Sequence, residues 1–148
     1  MKKITIVLLA GIVSFGWVSC KKKSSPAPDP VIPRGIFAKI NGVAWAADPT
    51  TLSNITLGNY VEITGYDTSG KTIDLRINNF KTRGTYTIPQ ANDSAFYATD
   101  FGALARPVPA TTGTIVIQAE TDTSVGGTFS FTAGSTVVTS GTFNVNTN

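Results

Sequence analysis

The sequence has no histidine and a single cysteine, Cys20. Without histidine there is no Ser-His-Asp or Cys-His nucleophile arrangement, and without a second cysteine there is no internal disulfide and none of the usual zinc sites. Charge is sparse as well: 14% of residues are Asp, Glu, Lys or Arg, with a formal net charge of +3. Even that excess is local. Of the 12 Lys and Arg, Lys2, Lys3, Lys21, Lys22 and Lys23 stand at the start, and of the 9 Asp and Glu only Asp29 precedes residue 34, so the remainder carries seven basic against eight acidic residues. A nucleic-acid face requires clustered basic side chains. Lys39, Lys71, Arg76, Lys81, Arg83 and Arg106 are scattered, which argues against a nucleic-acid partner. The one long apolar run, Ile4 to Val18, is about 15 residues, short of the roughly 20 that a spanning helix needs.

That run follows Lys2-Lys3 and ends at Val18-Ser19-Cys20. A basic start, a short apolar centre and small residues at the end describe a cleaved secretion signal, expected over residues 1–19. The ending resembles the bacterial lipobox, in which the thiol is acylated and the signal is cut just before it. A lone cysteine in an exported chain would otherwise be a free reactive thiol. Lipidation of Cys20 therefore makes the membrane a partner through an N-terminal lipid. Residues 20–34 form the tether: three lysines at headgroup level, then prolines at 26, 28, 30 and 33, which favour an extended polyproline II spacer.

From residue 35 to 148, short runs rich in Val, Ile, Thr, Phe and Tyr alternate with period two between Gly, Asn, Asp and Ser. The pattern predicts an all-β fold, a single antiparallel β-sandwich or flattened barrel of about eight or nine strands. Asn41-Gly42 between alternating apolar residues predicts a type I′ hairpin, with Ile40 facing Val43, Ala38 facing Trp45 and Ile36 facing Ala47 on the core side. Trp45 reads as core, with a sugar-stacking platform as the alternative. A second hairpin, Tyr60 to Tyr66 with Thr72 to Asn78, should bury Val61, Ile63, Ile73, Leu75 and Ile77 and set Glu62 across from Arg76, leaving Tyr60, Thr64, Tyr66 and Asp74 outside. A Gly-Thr start recurs at Gly84, Gly113, Gly127 and Gly141. The last three, 14 residues apart, predict a meander with Phe129, Phe131, Phe143 and Val145 inward and the glycines at bends or bulges.

Between Gln90 and Thr112 the alternation weakens around one short strand near Ser94 to Ala98, so a ligand site would be sought there first. The candidate contact residues are the aromatics Tyr60, Tyr66, Phe96, Tyr97 and Phe101. No catalytic residue, metal or cofactor is assigned. Asp67, Ser69 and Asp74 lack the glycine and terminal glutamate of an EF-hand loop. Asp100-Phe101-Gly102 spells a kinase tripeptide without the rest of that signature. The expected role is a non-enzymatic binding or accessory module in the cell envelope that contacts a glycan or an envelope protein. The alternatives are a carboxylate-based glycan-active enzyme, which needs two acids about 5–10 Å apart, and a purely structural lipoprotein.

The lipobox and lysine run, Phe37-Ala38-Lys39-Ile40-Asn41-Gly42-Val43-Ala44-Trp45, Ile63-Thr64-Gly65, Gly84-Thr85-Tyr86, Gly127-Thr128-Phe129-Ser130-Phe131-Thr132-Ala133 and the closing Gly141-Thr142-Phe143-Asn144 together resemble the small lipoproteins of Bacteroidota that share a domain of unknown function. The resemblance implies a β fold and an outer-membrane address. It transfers no activity and no site residues. Lys21-Lys22-Lys23 departs from the acidic export signal common after the cysteine in that phylum, so periplasmic and surface exposure both stay open.

Overall fold

The computed structural model describes residues 30–90, 93–99 and 106–147. The leader, Cys20, most of the tether and Phe101 lie outside the described residues. The end of the tether is fastened to the domain, because the Asn144 side chain donates a 2.8 Å hydrogen bond to the Ile32 carbonyl. The tether thus reaches the domain where the first strand begins and the last one ends.

The first hairpin forms in the expected register. β1 (Gly35–Ile40) and β2 (Val43–Ala46) pair with Ile40 opposite Val43 and Ala38 opposite Trp45. The Ile36 carbonyl accepts from the Ala47 N–H at 3.0 Å. Asn41 and Gly42 have φ of 50° and 83°, the left-handed pair that a type I′ turn requires. Ile36, Ala38, Ile40, Trp45 and Ala47 are buried as predicted. Val43 departs from the pattern, 70% exposed beside the turn, where the hairpin overhangs the core.

A short 3-10 turn, Pro49–Thr51, capped by the Asp48 carboxylate on the Thr50 N–H at 2.9 Å, carries the chain to the second layer. There β3 (Ser53–Leu57), β4 (Tyr60–Tyr66) and β5 (Thr72–Ile77) form a meander. Val61, Ile63, Ile73, Leu75 and Ile77 are each at most 2% exposed, and Glu62 sits opposite Arg76. β6 (Gly84–Ile88) returns to the first layer, while β7 (Ser94–Ala98), the strand expected inside the irregular region, and β8 (Val108–Pro109) extend the second. β9 (Thr112–Thr121), β10 (Ser124–Ala133) and β11 (Thr136–Asn146) then make the predicted C-terminal meander.

The result is a β-sandwich of two antiparallel sheets, ordered β2-β1-β11-β10-β9-β6 and β3-β4-β5-β7-β8, and the sheets do not close into a barrel. The eleven strands among the described residues exceed the expected eight or nine because short segments such as β3 and β8 carry little alternation of their own. Phe129, Phe131, Phe143 and Val145 all point inward, with Phe129 ring centroids 6.2 Å from Phe131 and 6.3 Å from Phe143. Burying each such side chain contributes about 1.5–3 kcal/mol. Close approach of the layers requires a bare backbone at Gly65, where an added Cβ would lie 2.7 Å from that of Ala47. Gly127 and Gly141 occupy strand interiors rather than strand starts, and the pairing of β10 shifts between Gly126 and Gly127 and again between Phe129 and Phe131. The expected bulges are there, inside longer strands than the sequence suggests.

Candidate functional site

Strand alternation sends half of the second sheet outward. Tyr60, Glu62, Thr64 and Tyr66 on β4 share that outer face with Thr72, Asp74 and Arg76 on β5 and with Ser94, Phe96 and Ala98 on β7, because each set pairs directly across the ladder. Three of the five candidate aromatics, Tyr60, Tyr66 and Phe96, therefore lie on one surface. Ile55 (43% exposed) and Leu57 (70% exposed) extend it along the edge strand β3.

At the centre stands Arg76. Its Nη2 contacts Asp74 Oδ2 at 2.6 Å and Glu62 Oε1 at 3.2 Å, and its Nε donates to Asp74 Oδ2 at 3.0 Å. The guanidinium carbon lies 4.7 Å from the centre of the Phe96 ring, a cation–π contact. Glu62 Oε2 in turn accepts from the Tyr60 hydroxyl at 2.6 Å. Burial and this bond to an anion push the Tyr60 hydroxyl up to about 12. Tyr60, Glu62, Arg76, Asp74 and Phe96 thus form one connected array with a fixed geometry.

Asp74 corrects the expectation that it would be a solvated outer residue. It is 9% exposed, since Arg76 and Phe96 lie over it, and its Oδ1 is buried without a hydrogen bond. Burial raises its carboxyl above the ordinary range; Arg76 opposes the shift and Glu62 adds to it. A folded-state pKa above the unfolded value means that the native state holds the proton more tightly. The stability this group confers is fully present below the unfolded pKa and is lost as pH rises through the folded one. Asp74→Asn is accordingly expected to be at least as stable as the parent at pH 7, with less dependence of melting temperature on pH between about pH 4 and 7. Thermal melts followed by circular dichroism check this; a sharply lower melting temperature at pH 7 would mean that the pair with Arg76 outweighs the cost of burial.

Tyr97 stands apart from this face. One residue along β7 from Phe96, it points to the opposite side and is 6% exposed, so it does not contribute to the outer face and instead lines a cavity at one end of the sandwich. Trp45 is likewise buried, 7% exposed. Phe101 lies outside the described residues. Sequence reasoning found the Glu62–Arg76 pair but missed Asp74 as its third member; the signal was Asp74 two positions from Arg76 on the same strand face.

Residues 34–148 match the family described as a domain of unknown function, DUF6252. No curated protein and no solved structure matches the chain.

Proposed function

The chain belongs to the DUF6252 family of domains of unknown function, and we propose that it is a lipid-anchored cell-envelope protein whose β domain is a non-enzymatic binding module. The outer face of the second sheet is its contact surface for another envelope protein. The observation that carries this reading is the convergence of Tyr60, Tyr66 and Phe96 on one face around Arg76. Tyrosine and arginine dominate the energetic centres of protein interfaces, and aromatic residues are enriched in them. Here Arg76 is already held by two carboxylates and a ring, so binding forfeits little of its side-chain freedom. The exposed Ile55 and Leu57 supply an apolar margin.

Cys20, acylated before residues 1–19 are cut away, supplies the anchor, in this proposal to the outer membrane. The lysines and prolines of residues 20–34 hold the domain clear of the headgroups.

The test is a comparison of affinities. A partner recovered with the full chain after crosslinking in the envelope should bind the Tyr66→Ala/Phe96→Ala double variant about 1,000-fold more weakly, since truncating each of two interface aromatics at an energetic centre costs about 2 kcal/mol. Unchanged affinity would reject the face.

One observation favours a second reading. Glu62 and Asp74 contact the same Nη2 at 3.2 and 2.6 Å, so these oxygens are at most the sum of the two distances apart, about 6 Å, near the roughly 5–5.5 Å of retaining glycosidases. Arg76, however, fills the space that a scissile bond would need. Glycan turnover by the purified chain that disappears in Glu62→Gln would establish the enzyme instead.

A further inference from the structure

A cavity of about 380 Å3 opens at the end of the sandwich that carries the Asn41-Gly42 turn, far along the strands from the tether. Its wall includes the β2 segment Val43 to Ala46, Tyr97, Asp67 and Lys71. The volume is at the lower end of ligand pockets, about 300–1,000 Å3, and suits a small molecule.

Its chemistry is mixed and unspent. Trp45 and Tyr97 are each more than nine-tenths buried on this wall. Among the described residues the wholly buried Trp45 indole N–H makes no hydrogen bond. Asp67 Oδ1 accepts from the Ser69 N–H at 2.9 Å, the Ser69 hydroxyl at 2.7 Å and the Lys71 N–H at 3.0 Å, which fixes the carboxylate and leaves Oδ2 open. Burial opposes the charge on Asp67, yet these bonds hold its carboxyl below the ordinary range. Among the described residues β2 pairs only with β1, so its other edge presents main-chain N–H and C=O groups. An anion would meet Asp67 and a cation would meet Lys71. A neutral molecule dense in groups that both donate and accept satisfies every component.

We propose that this cavity binds a single sugar residue, with Asp67 Oδ2 accepting from its hydroxyls, Tyr97 and Lys71 donating to its oxygens, and Trp45 forming part of the wall. The site is separate from the outer face, so either assignment stands or falls without the other.

In the full chain carrying Trp17→Phe, Trp45 is the sole tryptophan, and its indole 1H–15N cross-peak reports on the cavity. Titration with D-glucose, D-galactose and N-acetyl-D-glucosamine to about 50 mM should move that peak saturably with at least one of the three. Tyr97→Phe and Asp67→Asn should each bind that sugar about tenfold more weakly, the loss of one hydrogen bond. Lys81→Ala, on a loop at the other end, should bind it as the parent does. The proposal is overturned if no sugar moves the peak, if both variants bind as the parent does while their spectra remain dispersed, or if the zwitterion glycine moves the peak and the sugars do not.

Discussion

Replacing Gly127 with alanine is expected to cost about 3 kcal/mol or more, a large share of the domain's stability, whereas the same change at Gly126 should cost less than about 1 kcal/mol. Adjacent strand residues face opposite ways. A Cβ on Gly127 would run into the Val116 carbonyl oxygen and lie 2.9 Å from Phe143 Cζ, while at Gly126 the nearest atoms are 3.4 Å away. The Val116 carbonyl belongs to β9 at the point where the β9–β10 pairing shifts register, so moving it breaks the ladder in the centre of a sheet. Overpacking in a well-packed core costs about 1–3 kcal/mol, occasionally more. With the ladder disturbed as well, about 3 kcal/mol or more is expected, against a total of about 5–15 kcal/mol for a typical domain. Urea unfolding of the two variants measures both numbers. Equal losses at the two positions would mean that the bulge is misplaced.

Cys20→Ala is expected to abolish incorporation of fatty acid into the chain. Membrane affinity grows by about 0.8 kcal/mol per buried methylene, one acyl chain binds reversibly, and two or more hold stably. Lys21, Lys22 and Lys23 together supply only about 3 kcal/mol against an anionic surface, and salt screens that contribution. Metabolic labelling with an alkynyl fatty acid separates the acyl anchor from mere retention of an uncut leader. The parent should carry the label and Cys20→Ala none. A labelled variant would place the lipid elsewhere and undo the anchor.

How far the fold was legible depends on how local each cause is. The Asn41-Gly42 turn fixes the β1–β2 register through the conformations of two residues, and it was readable. So were the Glu62–Arg76 pairing and the inward phenylalanines of the last meander, since alternation and short turns determine them. The pairing of β1 with β11 was not: Ile36 meets Phe143 across almost the whole domain, and no neighbouring residue encodes that contact. Alternation assigned Asp74 to the outer face correctly but says nothing of what lies over it, and Arg76 and Phe96 from the same sheet bury it. Tyr97 was grouped with Phe96 by composition; the strand places the two on opposite faces. Gly127 and Gly141 read as strand starts because glycine interrupts the apolar pattern, whereas their backbones are pressed against Val116 and Phe129 within continuous strands.

The proposed contact face can be mapped in the native envelope by placing a photo-activated benzoylphenylalanine at one of two positions in the full chain. Ile55 lies on the rim of the outer face, beside Glu62, and its replacement leaves Tyr60, Tyr66, Arg76 and Phe96 in place. Lys39 is exposed on β1, in the other sheet. Irradiation should give a discrete crosslinked envelope protein from position 55 and none from position 39. No product from position 55, or the same product from both, would contradict the assignment of this face.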